Sequence, residues 1–269
     1  MLVNGAAIGE IGINDRGFLY GDGVFRSFQI RHSRPVLWAK QYAKLHHDCT
    51  ALKLTCPDES LLLSEVLSLS RTISEGVGKI IITRGTSERG YAPPAHTNAT
   101  RVVTVSSAPN YPESHYSHGV RVHLCELQLA RQPRLAGIKH LNRLENVLAA
   151  AEWQDPTIAE GLLMDEFGNV IEGTRSNLFA LINGELLTSP LAYSGVAGVQ
   201  RDRVLAWAAE QQFPHREANF SLDELRQADE IFLVNSVFGL WPVREFIAYA
   251  RHSFPISHQI QKWLADESH

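Results

Sequence analysis

The C-terminal half of the chain alternates short apolar runs with turn residues, which is the pattern of antiparallel strands. The runs pair around two turns, Gly168-Asn169 and Asn183-Gly184: 161–165 with 170–173, and 178–182 with 185–188. Asn-Gly is the strongest short hairpin signal because both positions accept a positive φ. We therefore predict two hairpins in this half, followed by a buried strand over 231–234.

Helical spacing of apolar residues adds two elements to the same half. Leu141, Leu144 and Leu148 recur at i, i+3 and i+7, which predicts a helix that begins directly after Lys139. A capping-box pattern at 221–224 predicts a second, short helix.

The N-terminal half mixes both patterns. Helices are predicted over 35–54 and after Asp58. The β-branched runs at 79–83 and 101–105 predict strands. The whole is α+β with much antiparallel sheet, not a regular βαβ alternation.

A polar stretch with two prolines, from Ser107 to Ser114, follows no period and indicates a boundary between domains. The predicted division has three parts: an N-terminal α/β domain over 1–110, a linker over 111–118 and a C-terminal domain over 119–269.

The composition is that of a globular protein, with 269 residues of which 44% are hydrophobic and 20% charged. Lysine and arginine number 25 against 29 acidic residues, a net charge of −4, so no nucleic-acid partner is expected. No apolar run approaches the roughly 20 residues of a membrane span. The three cysteines form no CxxC pair, which favours a reduced, cytoplasmic setting. His115, His118 and His123 have no further ligands at metal spacing, so no metal site is predicted.

Lys139 lies between an apolar, glycine-containing approach and an amphipathic segment. Desolvation at the edge of a buried segment favours the neutral amine, which can condense with an aldehyde. Taken by itself, a surface lysine whose stem lies along the protein is the commoner case.

Glu172 lies inside a predicted strand, on the same face as Val170 and Thr174. A carboxylate that points into the protein needs a cationic or hydrogen-bond-donating partner, and a protonated pyridine nitrogen would be one. A hairpin-edge glutamate in contact with water is the commoner case for this residue type.

The stretch from Ser194 to Arg201 is rich in glycine and leads into a predicted helix. Gly195 and Gly198 allow close approach of the backbone to a ligand, and a helix N-terminus offers unpaired amides and the positive end of a dipole. This combination suits a phosphate group, although a glycine-rich loop without a ligand remains an equal alternative.

In this order, the lysine, the glutamate and the glycine-rich helix start resemble the fold-type IV pyridoxal-phosphate enzymes. This family includes branched-chain and D-amino-acid aminotransferases and aminodeoxychorismate lyases. The similarity runs from the segment at 14–25 to the segment at 235–243, and the segments at 83–91 and 135–145 are most similar to the lyases. The resemblance implies a smaller N-terminal α/β domain and a larger C-terminal domain, with the cofactor between them.

The resemblance also implies roles for individual residues. Lys139 would hold pyridoxal 5'-phosphate as a Schiff base and act as acid and base, and Glu172 would pair with the pyridine nitrogen. Further cofactor contacts are implied for Lys44, Asn177, Val199, Gln200 and Ser236. Substrate contacts are implied for Tyr20, Ser27, Arg84, Arg89 and Tyr91, with Arg89 as the first candidate for binding a carboxylate.

Lys44 departs from the family pattern, because many relatives have a phosphate-binding arginine at the matching position. Lysine offers a point charge where arginine offers a planar fork. If the matching is shifted, Lys44 is only a cation on a helix surface.

The implied reaction converts 4-amino-4-deoxychorismate to 4-aminobenzoate and pyruvate, a step of folate biosynthesis, in a homodimer. A D-amino-acid or branched-chain aminotransferase with the same cofactor site is the alternative. A non-catalytic protein that binds pyridoxal phosphate is a third interpretation.

Overall fold

The structure, a computed structural model, describes residues 1–94 and 96–266. Within these ranges the chain forms two compact units. The first takes Met1–Asn110 and, from later in the chain, Ile138–Asn142; the second takes Tyr111–Gly137 and the chain from Arg143 onward. The division into domains over 1–110 and 119–269 stays a prediction, and its last three residues lie outside the described residues. The segment at 111–118, predicted as a linker, clusters with the second unit.

The described part of the first unit combines an antiparallel sheet with helices. Its strands are β1 (Leu2–Val3), β2 (Gly23–Arg31), β3 (Arg34–Pro35), β4 (Gly76–Thr83) and β5 (Thr100–Ser107), and its helices are α1 (Arg16–Tyr20), α2 (Trp38–Ala51) and α3 (Glu59–Ser70). The strand order is β1-β5-β4-β2-β3. The strands predicted at 79–83 and 101–105 are confirmed, as are the two predicted helices.

Alternation along β2 builds the core of this unit, because successive side chains of a strand point to opposite faces. Val24 and Phe28 are fully buried and pack with Leu45 of α2. Phe25 and Ser27 lie on the other face of β2 and are only partly buried. The same strand therefore supports the core and displays side chains on its opposite face.

The second unit contains the remaining elements. They are α4 (Ser114–Ser117), β6 (Val120–Leu129), α5 (Leu144–Ala150), β7 (Ile158–Asp165), β8 (Val170–Gly173), β9 (Asn177–Ile182), β10 (Glu185–Thr188), α6 (Val199–Glu210), β11 (His215–Glu217), α7 (Leu222–Arg226), β12 (Glu230–Asn235), β13 (Gly239–Phe246), β14 (Tyr249–Ala250) and α8 (Pro255–Ala265).

The sheet of the second unit closes on itself. Its order is β11-β10-β9-β12-β13-β6-β7-β8, and β8 also pairs with β9 through Glu172 and Asn177. The pairs β7–β8 and β9–β10 are the two predicted hairpins, which are confirmed. Closure leaves few unpaired strand edges and holds β8 between two neighbours.

Two local signals have the geometry that their sequences predict. Asn183 and Gly184 take φ values of +52° and +78° in the β9–β10 turn. At α7, Ser221 N donates to Glu224 Oε2 at 2.7 Å, and Glu224 N donates to Ser221 Oγ at 3.2 Å. Both features depend only on neighbouring residues, which explains why the pattern is sufficient.

The helix predicted directly after Lys139 begins later than predicted. The residues from Lys139 to Leu141 pair with β2 as an extended segment, so α5 starts only at Leu144. Leu144 and Leu148, which helped to predict the helix, are 69% and 53% exposed.

No helix among residues 1–94 and 96–266 is both long enough and apolar enough to cross a membrane.

Candidate active site

Lys139 lies in a short extended segment that runs beside the start of β2. Phe25 N donates to Lys139 O at 3.0 Å, and Leu141 N donates to Gly23 O at 2.9 Å. A Cβ at Gly23 would lie 2.5 Å from Ile82 O and 2.7 Å from Leu141 Cδ1. Glycine at this position is therefore required for the segment to approach β2.

The backbone of Lys139 is held at both of its polar atoms. Its N donates to Asp48 Oδ2 at 3.1 Å, while its O accepts from Phe25. The side chain is partly buried, and Nζ lies 4.7 Å from the centroid of the Phe25 ring, a cation–π distance. This geometry describes a lysine with a fixed origin, in contrast to a mobile surface lysine.

Two other residues predicted for the site lie on the same unit. Lys44 is partly buried on α2, and its backbone O accepts from Arg26 Nη2 at 3.4 Å. Ser27 lies two residues after Phe25 on β2, so both share one face of the strand. Their roles toward a cofactor or substrate stay predictions.

Arg84 is bound within the protein. Its Nε and Nη2 donate to Asp22 at 2.8 and 2.9 Å, and the guanidinium also donates to Lys53 O and Leu52 O. Burial by itself would raise the pKa of Asp22, but hydrogen bonds from Arg84 and Arg16 outweigh it and hold that pKa below its ordinary value. This geometry favours a structural role for Arg84 over the predicted substrate contact.

Arg16 is a residue that the sequence reasoning missed. It is buried, and it donates to Gly90 O at 3.0 Å, to Tyr91 O at 2.7 Å and to Asp22 Oδ2 at 2.8 Å. Arg16 thereby fixes the segment that carries Arg89 and Tyr91. Its only signal was membership of the segment at 14–25, because the two carbonyl groups that it binds, at Gly90 and Tyr91, are 74 and 75 residues away in the chain.

Among the remaining candidates for substrate binding in this unit, Tyr20 and Tyr91 lie near each other. The Tyr20 and Tyr91 rings have centroids 5.2 Å apart, and Tyr91 is 84% exposed. Arg89 is exposed in the segment that Arg16 holds. An exposed arginine and tyrosine on a fixed segment can bind an anionic small molecule.

Glu172 is buried on β8, which answers the alternative of a glutamate in water. It is 3% exposed, and its Oε2 accepts from Val196 N at 2.8 Å and from Asn177 Nδ2 at 3.3 Å. Gly195 has a φ of +83°, and a Cβ there would lie 3.2 Å from Glu172 Oε2. The glycine-rich loop therefore wraps the carboxylate closely and fixes its orientation.

Asn177 connects this carboxylate to the start of α6. Its Nδ2 also donates to Val196 O at 2.7 Å, and its Oδ1 accepts from Gly198 N at 3.1 Å. Both ends of the amide are used within the loop. Asn177 thus orients Glu172 and the loop, so its geometry is that of a positioning residue.

The start of α6 offers backbone donors. Gly198 is the N-cap residue; as a glycine it has no side chain to bond the first-turn amides, and its own N donates to Asn177 Oδ1. Val199 and Gln200 form the first turn, where amide N–H groups have no intrahelical acceptor. A helix start of this kind binds anions such as phosphate.

Ser236 follows β12 in the turn that leads to β13. Asn235 Oδ1 shapes this turn by accepting from Val237 N and Phe238 N, both at 2.8 Å. Ser236 is partly buried there. Its predicted contact with phosphate stays a prediction.

The residues predicted for the site are thus distributed over both units. The first unit carries Lys139, Lys44, Tyr20, Ser27, Arg84, Arg89 and Tyr91, and the second carries Glu172, Asn177, Val199, Gln200 and Ser236. Within the second unit, the structure brings Glu172, Asn177 and the start of α6 into one connected hydrogen-bonded group.

The model of the family described as amino-transferase class IV matches residues 23–246, so the chain belongs to this family. Its members are pyridoxal-phosphate enzymes, and the fold-type IV architecture and cofactor expected from the sequence are confirmed.

The chain is more similar to some named proteins of the family than to others. The chain is 33% identical to an aminodeoxychorismate lyase from Vibrio harveyi, over 90% of this chain and 89% of the relative. It is 27% identical to a D-alanine aminotransferase from Staphylococcus aureus, over 87% and 83%. The solved structure of a 4-amino-4-deoxychorismate lyase from Pseudomonas aeruginosa is similar with a TM-score of 0.94 at 41% identity, over 98% of this chain and 97% of that one.

Proposed function

We propose that this protein is an aminodeoxychorismate lyase, which converts 4-amino-4-deoxychorismate to 4-aminobenzoate and pyruvate with the aid of pyridoxal phosphate. The observation that carries the choice of reaction is the 41% identity, over 98% of the chain, to a lyase of that name. The aminotransferase similarity described above is weaker, at 27%.

The residues present fit pyridoxal phosphate. The start of α6 provides amide donors for the phosphate at Val199 and Gln200, and the Ser236 hydroxyl and the Lys44 cation would add to them. The buried Glu172 carboxylate provides an acceptor for a protonated ring nitrogen. When bound, the cofactor supplies an aldehyde that condenses with amines and a ring that takes up electrons.

Lys139 would hold the cofactor through Nζ and then move protons during the reaction. Once free of the cofactor, Nζ would take the proton from the substrate carbon that bears the amino group. The bond between the substrate ring and the enolpyruvyl oxygen would then break, and the ring would become aromatic. Nζ would return the proton to the methylene carbon of the leaving group, which gives pyruvate beside 4-aminobenzoate, so atoms and charge balance without another reactant.

Glu172 would hold the proton on the cofactor ring nitrogen. The hydrogen bonds from Val196 N and Asn177 keep its carboxylate in one orientation. A fixed, buried carboxylate stabilises a cation beside it more strongly than a solvated one does. Loss of the negative charge at Glu172 would therefore lower turnover more than it lowers cofactor binding.

The substrate carries two carboxylates, which need cationic or hydrogen-bonding partners. Arg89 is exposed and offers a planar fork for a carboxylate. Tyr91, Tyr20 and Ser27 would contribute hydroxyl groups. We keep Arg84 outside this set because its guanidinium already binds Asp22.

The direct test is a coupled assay that follows pyruvate and 4-aminobenzoate from enzymatically made aminodeoxychorismate. We expect both products in equal amounts. Incubation with D-alanine and a keto acid tests the aminotransferase alternative, and fast, complete turnover there would favour it. If the purified protein, incubated with pyridoxal phosphate, shows no absorbance of bound cofactor, both enzyme assignments are contradicted.

Lys139→Ala tests the cofactor lysine, and Lys79→Ala is its matched control. Lys79 Nζ lies 5.0 Å from the centroid of the same Phe25 ring. After borohydride reduction of the loaded protein, we expect the covalent adduct on Lys139 in the wild type and in Lys79→Ala. Lys139→Ala should lack it. An adduct on Lys79, or on another lysine, would refute the assignment.

Glu172→Gln tests the ring-nitrogen partner, and Glu160→Gln is the control from the same unit. Glu160 is also a buried glutamate, but it accepts from Ser176 Oγ at 3.1 Å and Gly161 N at 3.0 Å. Glu172→Gln should keep the cofactor and lower kcat about 100-fold. Glu160→Gln should lower stability and keep the absorbance maximum of the bound cofactor. Near-normal turnover in Glu172→Gln would remove Glu172 from the mechanism.

We further propose that the enzyme is a homodimer. Leu144, Val147 and Leu148 lie on one face of α5 and are 69%, 61% and 53% exposed. Apolar side chains concentrated on one exposed face are typical of an interface, and a second copy of the chain is the proposed partner. Light scattering after size exclusion should give the dimer mass, and Leu144→Glu with Leu148→Glu should give the monomer mass. A monomeric wild type would contradict the proposal.

The cytoplasm is the proposed location. Cys49, Cys56 and Cys125 are all free thiols in the structure, as in a reducing compartment. Cell fractionation with an antibody to the protein should recover it with cytoplasmic markers.

A further inference from the structure

A buried ion pair connects β2 and α2 and has no part in the reaction as described so far. Arg26 and Asp48 are 3% and 1% exposed, and Arg26 Nη2 donates to Asp48 Oδ2. A buried pair of this kind is weak evidence for stability, because desolvation of both charges offsets their attraction. Its position in the fold therefore indicates what it does.

The same carboxylate oxygen holds the backbone of Lys139. Lys139 N donates to Asp48 Oδ2 at 3.1 Å, and Lys139 O accepts from Phe25 N at 3.0 Å. The Cα of the lysine is thus fixed from α2 on one side and from β2 on the other. Because the side chain starts from a fixed point and lies over the Phe25 ring, Nζ samples a restricted volume.

Arg26 makes this arrangement tenable. Its guanidinium compensates the charge of Asp48, and Nη2 also reaches Lys44 O at 3.4 Å. Without a cation beside it, a carboxylate this buried would be strongly destabilising. The arginine therefore holds the acceptor oxygen at the place where the Lys139 amide needs one.

We infer that Asp48, held by Arg26, is a positioning residue that fixes the cofactor lysine for attack on the aldehyde. The inference rests on the proposed function of Lys139. It adds that the rate of covalent attachment depends on a hydrogen-bond acceptor at position 48 and not on the ion pair as such.

Two double variants separate the acceptor from the charge. Arg26→Met with Asp48→Leu removes both charges and the acceptor. Arg26→Met with Asp48→Asn removes both charges but keeps an acceptor oxygen. Neither variant leaves an unpaired buried charge, so we expect the two to have similar stabilities. Urea unfolding of the two cofactor-free proteins measures whether their free energies of unfolding match. If the leucine variant does not fold, Asp48→Ala replaces Asp48→Leu in the same comparison.

The measurement is the rate of borohydride-trapped attachment to Lys139 after mixing with pyridoxal phosphate, with the site mapped by peptide mass spectrometry. We expect the variant without an acceptor to attach about tenfold more slowly than wild type, and the asparagine variant to recover to within about threefold. Equal rates in two variants of matched stability would overturn the inference. An adduct elsewhere than Lys139 in the wild type would overturn the proposed function instead.

Discussion

The N-termini of α6 and α8 meet the same requirement in opposite ways. Each helix begins with amides that lack intrahelical acceptors. At α8, the buried carboxylate of Glu230 accepts from Ile256 N and Ser257 N, both at 2.8 Å, and from Ser257 Oγ at 2.7 Å. At α6, the N-cap residue Gly198 has no side chain of its own, and its N donates to the neutral amide of Asn177 instead of a carboxylate.

The contrast separates structural helix ends from those that are prepared for a ligand. The protein supplies an anion of its own, the Glu230 carboxylate, at the start of α8. At α6 the amides of Val199 and Gln200 remain for the phosphate that we propose. An isosteric substitution that removes the carboxylate at α8 should therefore affect stability. One that adds a carboxylate at α6 should affect ligand binding.

The largest effect is expected from Glu230→Gln. The amide nitrogen of glutamine would face an N–H donor, and the charge at the helix start would be lost, so the free energy of unfolding should fall by about 2 to 3 kcal/mol. Urea unfolding of the cofactor-free protein measures this loss. The affinity for pyridoxal phosphate should remain within about twofold of wild type, since helix-end effects fall off within one turn. A stable variant with weakened cofactor binding would reverse the comparison.

An intermediate effect is expected from Gln200→Glu, which adds a carboxylate to the first turn of α6. The new charge would repel a phosphate, so the dissociation constant for pyridoxal phosphate should rise about tenfold. The bond from Arg203 Nη1 to Gln200 Oε1, at 3.1 Å, can be kept by glutamate, so stability should change little. Pyridoxal without phosphate is the control ligand. An equal loss for both ligands would mean that α6 does not bind the phosphate.

The smallest effect is expected at α7, whose start is closed by an exposed capping box. Hydrogen bonds from Ser221 N and then Ser221 Oγ hold the pKa of Glu224 below its ordinary value of 4.5. A lowered carboxyl pKa contributes stability above pH 4.5 that is lost as the pH falls through the folded-state pKa. Glu224→Gln should thus cost about 0.5 to 1 kcal/mol at pH 7 and nothing below the folded-state pKa. Urea unfolding across pH 3 to 7, roughly the range over which carboxylates titrate, measures it. A cost that does not depend on pH would show that the charge is unimportant.

Local signals predicted the parts of the fold that neighbouring residues determine. The capping box at Ser221 and the turn at Asn183-Gly184 involve residues that are adjacent or three apart. The helix predicted after Lys139 was placed too early, because pairing with β2 takes precedence over helical spacing at Leu141. Pairing with a distant strand leaves no trace in the local pattern.

Local sequence patterns were also insufficient to predict the contacts of the candidate site. The strand that carries Glu172 was predicted, but the burial of its side chain was not, because all four residues of β8 are buried and no alternation marks an inward face. Its partner Val196, 24 residues away, could not be predicted either. In the same way, no sequence pattern distinguishes Arg84, which binds Asp22 and distant carbonyls, from Arg89, which is exposed. Arginines look alike in a sequence until the fold assigns their partners.

The return of Ile138–Asn142 to the first unit has a consequence for how such a protein can be divided. The chain leaves this unit at residue 110 and comes back for five residues that include the buried Ile138 and the lysine beside it. A gene break at 110 would therefore yield an N-terminal fragment that has lost part of its own core together with Lys139, the proposed cofactor lysine. Recombination cannot exchange the first unit by a single crossover, so its inheritance is tied to that of the segment at 138–142.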